Sequence, residues 1–294
     1  MTPFEPTMIE ALQKDDALLA DIHSTAADDP RLHLWWLGQS GFLCQQGGAR
    51  LLLDPYLSDS LTEKYAATDK PHVRMTERCL APEQLPSVRL VTASHLHTDH
   101  LDAATLVPLA RAQGGITLVL PHPILEEARA RLGDAPIELV GLGAGESCEL
   151  QGWRLTGVPA MHDDLKTDEQ GRHHYLGFLI QRAGFCFYHS GDTRWYPDLA
   201  NWLLDPACDV MLLPINGHKP ERRVAGNMDG TEAAVLARSC HARLVVPCHY
   251  DMFTFNTESP DEFITACGHL AQPHRILRGG EKLSLERHST AVSV

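Results

Sequence analysis

His95, His97, Asp99 and His100 place four side chains able to bind a divalent cation within six consecutive residues. Imidazole and carboxylate ligands without thiolates suit zinc, and also manganese or iron. The apolar run Arg89–Ala93 leads into this segment as a strand, and Asp102 behind it is suited to cap a helix. A loop between the two turns His95 and His97 to one side and Asp99 and His100 to the other, an arrangement that serves two adjacent cations. Without a cation, so many imidazoles and a carboxylate would carry a heavy cost in desolvation and like-charge repulsion. Two cations sharing one water lower its pKa from about 15.7 towards about 7. The chemistry expected is hydrolysis by a metal-bridged hydroxide, with two divalent metal ions as cofactors.

One loop cannot complete two metal sites, and the chain offers further ligands. His162, Asp192 and His249 each follow the end of an apolar strand, where loops gather at a sheet edge and sites are built.

The pattern H-x-H-x-D-H, then a lone His, a G-D-T after a strand and a final lone His, resembles the metallo-β-lactamase superfamily. The likeness runs from Trp36 to His249. It implies that His95, His97 and His162 hold one metal, that Asp99, His100 and His249 hold the other, and that Asp192 bridges them. It also implies that Asp54 orients a ligand histidine from behind. The segments around Trp36 and Gly41, Leu213 and Gly217, Gly226 and Met228, and His249 and Phe253 are similar to the L-ascorbate-6-phosphate lactonase branch. That branch implies opening of the lactone ring of a phosphorylated sugar-like substrate. The chain departs from it at His218 and Lys219, where the branch would have Arg and Asp.

In that reaction Asp99 would pass a proton to the leaving oxygen, and Asn216 would donate to the developing oxyanion. The basic stretch His218, Lys219, Arg222 and Arg223 is a candidate for holding a substrate phosphate. Tyr250 is a candidate substrate donor, and His189 is expected at or just behind the pocket. Cys248, next to a ligand, should point into the core by strand alternation. Two other reactions fit the same ligands: hydrolysis of a small or lipid phosphodiester, and an iron-dependent oxidoreductase reaction. A metal-dependent hydrolase of lactonase type is the reading preferred.

The elements needed to position these groups are legible as periodic runs. An N-terminal helix is expected over residues 7–23. Three short strands follow at Leu32–Leu37, Gly41–Gln45 and Arg50–Leu53, joined as antiparallel hairpins. Residues 58–86 lack periodicity and read as an insertion placed to lie over an active site. Strand and helix then alternate: strand Arg89–Ala93, helix Ala103–Gln113, strand Ile116–Leu120 and helix Ile124–Leu132. Strands are expected at Ile137–Val140, Glu146–Leu150, Trp153–Val158, Tyr175–Arg182 and Phe185–His189. A helix near Trp195–Leu204 precedes strand Val210–Leu213, helix Thr231–Ser239 and strand Leu244–Val246. Helix Asp261–Leu270 and strands at Arg275–Leu277 and Lys282–Leu285 end the pattern. Two β-rich blocks, each followed by helices, give an α/β class: a four-layer αββα sandwich formed by one hydrolase domain over 1–294.

A net charge of -13 argues against a nucleic-acid partner, since phosphate backbones are bound by clustered Lys and Arg. A small-molecule substrate, anionic if a local basic patch receives it, remains. The eight cysteines are scattered without a C-x-x-C pair, as in reduced thiols of a cytoplasmic protein. Residues 1–10 do not read as a signal peptide, and no apolar run is long enough to cross a membrane. A homo-oligomer is expected on general grounds.

Overall fold

The first three strands of this chain are apolar at consecutive positions because both of their faces are covered. In β1 (Leu32–Gly38), Leu32, Leu34 and Trp36 enter one cluster of buried side chains, while Trp35 and Leu37 enter another. The same alternation divides Phe42 and Cys44 from Leu43 in β2 (Gly41–Gln46), and Leu51 and Leu53 from Leu52 in β3 (Ala49–Leu53). A strand buried on both faces belongs in the inner layer of a sandwich. The computed structural model, which describes residues 8–287, shows that arrangement.

Helix α1 (Asp15–Ser24) precedes β1, and α2 (Ser60–Tyr65) lies in the insertion after β3. Then follow β4 (Leu90–Thr92), α3 (Ala103–Gln113), β5 (Ile116–Pro121), α4 (Leu125–Leu132) and β6 (Ile137–Leu142). The second half comprises β7 (Ser147–Leu150), β8 (Trp153–Pro159), β9 (Leu176–Arg182), β10 (Phe185–His189), β11 (Val210–Pro214), α5 (Gly230–Ser239), β12 (Val245–Cys248), α6 (Asp261–Leu270) and β13 (Lys282–Leu285).

The first sheet has the order β13-β1-β2-β3-β4-β5-β6 and the second β12-β11-β10-β9-β8-β7. Both are mixed: β1 to β3 pair antiparallel and β3 to β6 parallel, while β7 to β10 pair antiparallel and β10 to β12 parallel. The main core lies between the sheets, with Leu34, Phe42 and Leu53 in one cluster with Leu155, Phe178 and Leu212. Leu18, Leu106 and Ala128 of α1, α3 and α4 cover the outer face of the first sheet. Ala233 and Leu236 of α5 and Phe263 of α6 join the core from beyond the second.

Three expected elements differ. Helix α1 begins only at Asp15, and Thr7 lies outside the described residues. Residues 8–13 are irregular, with a bridge at Ile9 and a bend at Leu12 and Gln13, held by bonds from Ile9 N to Met75 O (2.7 Å) and from Leu12 N to Gly279 O (2.8 Å). Met8, Ile9 and Leu12 are exposed, so their spacing marks no buried helical face. The stretch Trp195–Leu204 holds a single 3₁₀ turn, Ala200–Trp202. Pro197 within it removes a main-chain donor, which a longer helix would need. Arg275–Leu277 forms no strand; the isolated bridge between His274 and Val245 lies just before it, and Arg275 N donates to Val245 O (3.1 Å). Among the described residues no helix is long and apolar enough to cross a membrane, and all eight cysteines are free thiols.

Candidate metal centre

The site sits where strand C-terminal ends of both sheets meet. Strand β4 delivers His95, His97, Asp99 and His100, and β3 delivers Asp54. Strands β8, β10 and β12 deliver His162, Asp192 and His249. The loop after β4 is held at both ends. Asp102 caps α3 by accepting from Ala104 N (3.2 Å), and its carboxylate also receives the hydroxyls of Ser58 (2.6 Å) and Thr105 (2.6 Å). Arg131 of α4 donates to the carbonyls of Leu96 (2.5 Å) and Leu101 (3.1 Å), spanning the loop.

Three groups of ligand atoms result, each within 4.8 Å: His95, His97 and His162; His95, His100 and Asp192; and Asp99, His100 and His249. Asp192 lies between the outer two. Its Oδ1 is 3.2 Å from His100 Nε2, and its Oδ2 is 3.1 Å from His249 Nε2 and 3.6 Å from His162 Nε2.

The imidazoles are aimed from behind. His162 Nδ1 lies 3.0 Å from the Gly226 carbonyl, which only accepts, so Nδ1 carries the proton and Nε2 turns inward. His100 Nδ1 lies 2.8 Å from Asp54 Oδ2, which places its Nε2 beside Asp192. Asp54 in turn accepts from Thr92 Oγ1 (2.9 Å) and Ser94 N (3.1 Å). Gly191 lets Asp192 approach: its φ is +56°, and a Cβ there would fall 2.4 Å from Ser94 Cβ. Asp54, Gln39 and His249 also hold positive φ of 36°, 48° and 57°. Such backbone strain collects at sites where geometry is over-determined.

The electrostatics favour a cation. His95 Nε2, His100 Nε2 and Asp192 Oδ1 are buried without hydrogen-bond partners and face one another. Buried polar atoms left unpaired cost roughly 1–3 kcal/mol each, and cations bound on either side of Asp192 would satisfy all three. Burial keeps His95 and His162 from protonating, and His97, although it reaches the exposed rim, is pushed down to about 4 by desolvation of its ring and by the neighbouring His162. Burial works against charge on His249 too, but Asp192 and Asp99 pull its pKa up to about 9. Burial opposes ionisation of Asp99 and Asp192, yet the neighbouring His100 and His249 hold both carboxyls well below their ordinary range. The donor set therefore fits metal ions, with neutral imidazoles on one side and carboxylates on the other.

A cavity of about 510 Å³ opens over the centre. His97, Asp99, His162, Asp192 and His249 form its floor, and Lys64, Tyr65, Lys70 and His72 of the insertion form a wall. Gln39, which sequence reasoning left out although its motif was in view, also faces it. Its Nε2 donates to Asp99 Oδ2 (2.7 Å).

Several expected substrate residues lie elsewhere. Asn216 is wholly buried behind His162, accepting from Asn227 Nδ2 (2.9 Å), while Asn227 Oδ1 is 3.1 Å from His162 Nδ1. It does not line the cavity. Tyr250 turns into the core, stacked on Trp36 at 5.1 Å, with its hydroxyl donating to Leu277 O. Cys248 is buried beside it. His189 is fully buried and bonds Ser40 O at 2.8 Å, in the layer below the centre and away from the cavity. His218 is exposed and lies over Gly226. Lys219 and Arg222 both pair with Glu258, and Arg222 also donates to Asn216 O and Thr257 O. Arg223 pairs with Asp69. Lys219 and Arg222 are spent on fastening their own loop, and Arg223 ties it to the insertion.

Residues 49–250 match the family model for the β-lactamase superfamily domain. The chain is 32% identical to a metal-dependent hydrolase of Rubrobacter xylanophilus over 239 residues, which covers 78% of this chain and 85% of that one. Among solved structures it is similar to an isothiocyanate hydrolase from Delia radicum gut bacteria (TM-score 0.70, 17% identity, 87% of this chain and 100% of that one). It is also similar to CmlA, a diiron β-hydroxylase of Streptomyces venezuelae (TM-score 0.62, 15% identity, 87% and 54%). At these identities the two structures speak to the fold alone.

Proposed function

Since this chain belongs to the metallo-β-lactamase superfamily, we propose that it is a metal-dependent hydrolase that opens the lactone ring of a sugar-derived, anionic substrate. The observation that carries this reading is the cavity. Its floor is the His and Asp centre, and its lining carries Lys64, Lys70 and Arg131 beside the carboxylates of Glu127 and Asp163. A pocket of this size suits a small molecule, and its cations suit a carboxylate or phosphate at one end of it.

His95, His97 and His162 would hold one divalent cation, Asp99, His100 and His249 a second, and Asp192 would touch both. Bound there, the cations would supply Lewis-acid polarisation of an ester carbonyl and acidify water. The chain's own part is positional. Asp54 and the Gly226 carbonyl fix the rings of His100 and His162, so the floor needs no rearrangement during reaction. Gln39 holds Asp99 Oδ2 at the cavity surface. There the carboxylate takes the proton released as water adds to the carbonyl carbon, and it returns that proton to the ring oxygen when the ester bond breaks. Lys64 replaces the 218–223 stretch as the group that meets a substrate phosphate, with Lys70, whose Nζ also donates to the Arg223 carbonyl (2.6 Å), beside it.

The test is acid release by the metal-loaded protein from L-ascorbate 6-phosphate and D-glucono-δ-lactone, with a chromogenic phosphodiester alongside. Turnover of the lactones supports the reading. Turnover of the phosphodiester alone replaces it.

A further inference from the structure

His72 lines the cavity but belongs to none of the groups of candidate ligands. Its Nδ1 lies 2.8 Å from the Lys70 carbonyl oxygen. A carbonyl can only accept, so Nδ1 carries the proton, and in the neutral ring Nε2 is left as an acceptor. Nε2 makes no hydrogen bond among the described residues, nor is it sealed from solvent. The ring is held in a cage, with centroids 4.4 Å from Tyr65, 5.2 Å from Phe253 and 5.2 Å from Phe255. Burial in that cage pushes its pKa down, and Lys64 and Lys70 add to this against the pull of the Lys70 carbonyl and Asp99. A caged, uncharged imidazole with one nitrogen committed to the backbone is a fixed acceptor at the wall.

We propose that His72 is a substrate-recognition residue whose Nε2 accepts a hydrogen bond from a hydroxyl group of the substrate. Lys64 and Lys70 on the same wall select the donor's charge, because a substrate ammonium would be repelled and a neutral hydroxyl would not. The inference rests on the lactone reading for its substrate class, which it narrows to hydroxylated lactones. The hydroxyl it reads is remote from the ester bond, so His72 exchanges no proton with the reacting atoms.

The test uses metal-loaded wild-type protein, His72→Phe, which keeps an aromatic ring in the cage, and His72→Gln, which keeps an acceptor. Two matched pairs serve as probes: D-glucono-δ-lactone and δ-valerolactone for kcat/KM, and D-gluconate and valerate for calorimetric binding. The wild-type preference for the hydroxylated member should fall about tenfold in His72→Phe, the worth of one buried hydrogen bond, and recover in part in His72→Gln. The ¹⁵N spectrum of the wild-type ring should show the Nδ1–H tautomer, with Nε2 shifting when gluconate binds. Equal preferences in wild type and His72→Phe, absence of gluconate binding, or an Nε2–H tautomer would overturn the proposal. Gluconate bound through His72 with no lactone turned over would reject the lactone reaction and leave the role of His72 standing. Lactone turnover with selectivity independent of His72 would do the reverse.

Discussion

His100 and Asp54 are joined by a 2.8 Å contact between Nδ1 and Oδ2, and both side chains are wholly buried. Asp54 is the hub of this corner: it also receives Thr92 Oγ1 and the Ser94 amide, so one carboxylate fixes both the ring of His100 and the start of the ligand loop. Asp54→Ala should weaken metal binding about 10–100-fold, as removal of a partner behind a ligand does. Chelator-competition titration reads this directly. Asp54→Asn, which keeps one acceptor, should lose less.

Gly191→Ala tests the approach of the second sheet to that loop. The new Cβ would sit 2.4 Å from Ser94 Cβ at a φ of +56°. We expect a stability loss of roughly 1–3 kcal/mol from overpacking, read by urea denaturation, together with a lower metal content by mass spectrometry. Gly171→Ala, whose Cβ meets nothing within 4 Å at a φ of +76°, separates the backbone cost from the clash.

Metal removal should reduce stability as well as activity. A ligand that binds only the folded chain adds about 2.7 kcal/mol at a hundred times its Kd. Tm should therefore rise with added zinc or manganese and fall on dialysis against chelator. A Tm independent of metal would count against the centre.

Asp21 predicts a pH dependence far from the site. Its carboxylate accepts from Trp35 Nε1 (2.8 Å) and Lys282 Nζ (2.5 Å), tying α1 to β1 and β13. Burial favours the protonated form, but those two donors hold its pKa below the ordinary carboxylate value. The stabilisation is complete above the unfolded-state pKa of about 3.9. It fades as pH falls through the lower folded-state value. Asp21→Asn should cost roughly 1–2 kcal/mol at pH 7, and its deficit against wild type should shrink below pH about 4. Urea denaturation at a series of pH values measures the difference.

Lys64→Met should raise KM for a phosphorylated lactone about tenfold while changing KM for its unphosphorylated counterpart less, as loss of a charge-assisted contact would. Lys70→Met should do the same while also freeing the Arg223 carbonyl that Lys70 Nζ holds at 2.6 Å. Arg222→Met should leave that ratio alone and lower Tm, because Arg222 fastens the 216–223 loop to Glu258 and Thr257.

The ligand loop was legible because its residues are rare, close together and unaffordable without a cation. The ligands at the ends of β8, β10 and β12 could be found because each follows a strong apolar run. Residues whose role depends on which way a loop side chain turns were not legible. Asn216 and Tyr250 adjoin strands that feed the site, yet tertiary contacts with Asn227 and Trp36 turn them away from the cavity. Lys219 and Arg222 look free in sequence because their partner Glu258 is more than thirty positions away. His72 sits in an aperiodic segment, and only the meeting of Tyr65, Phe253 and Phe255 around it gives it a place. Helix α1 is shorter than the spacing predicts because Met8, Ile9 and Leu12 keep helical spacing while the backbone of Ile9 and Leu12 bonds to Met75 and Gly279 instead of along a helix.

The most direct test of the central claim is acid release in a pH-stat from L-ascorbate 6-phosphate and D-glucono-δ-lactone, with zinc- and manganese-loaded wild type beside Asp192→Ala. The account predicts metal-dependent opening by wild type and a loss of about a thousandfold or more in Asp192→Ala, the several kcal/mol expected when the two cation sites lose their shared ligand. Wild type that binds metal yet opens no lactone, or Asp192→Ala that turns over at the wild-type rate, would contradict it.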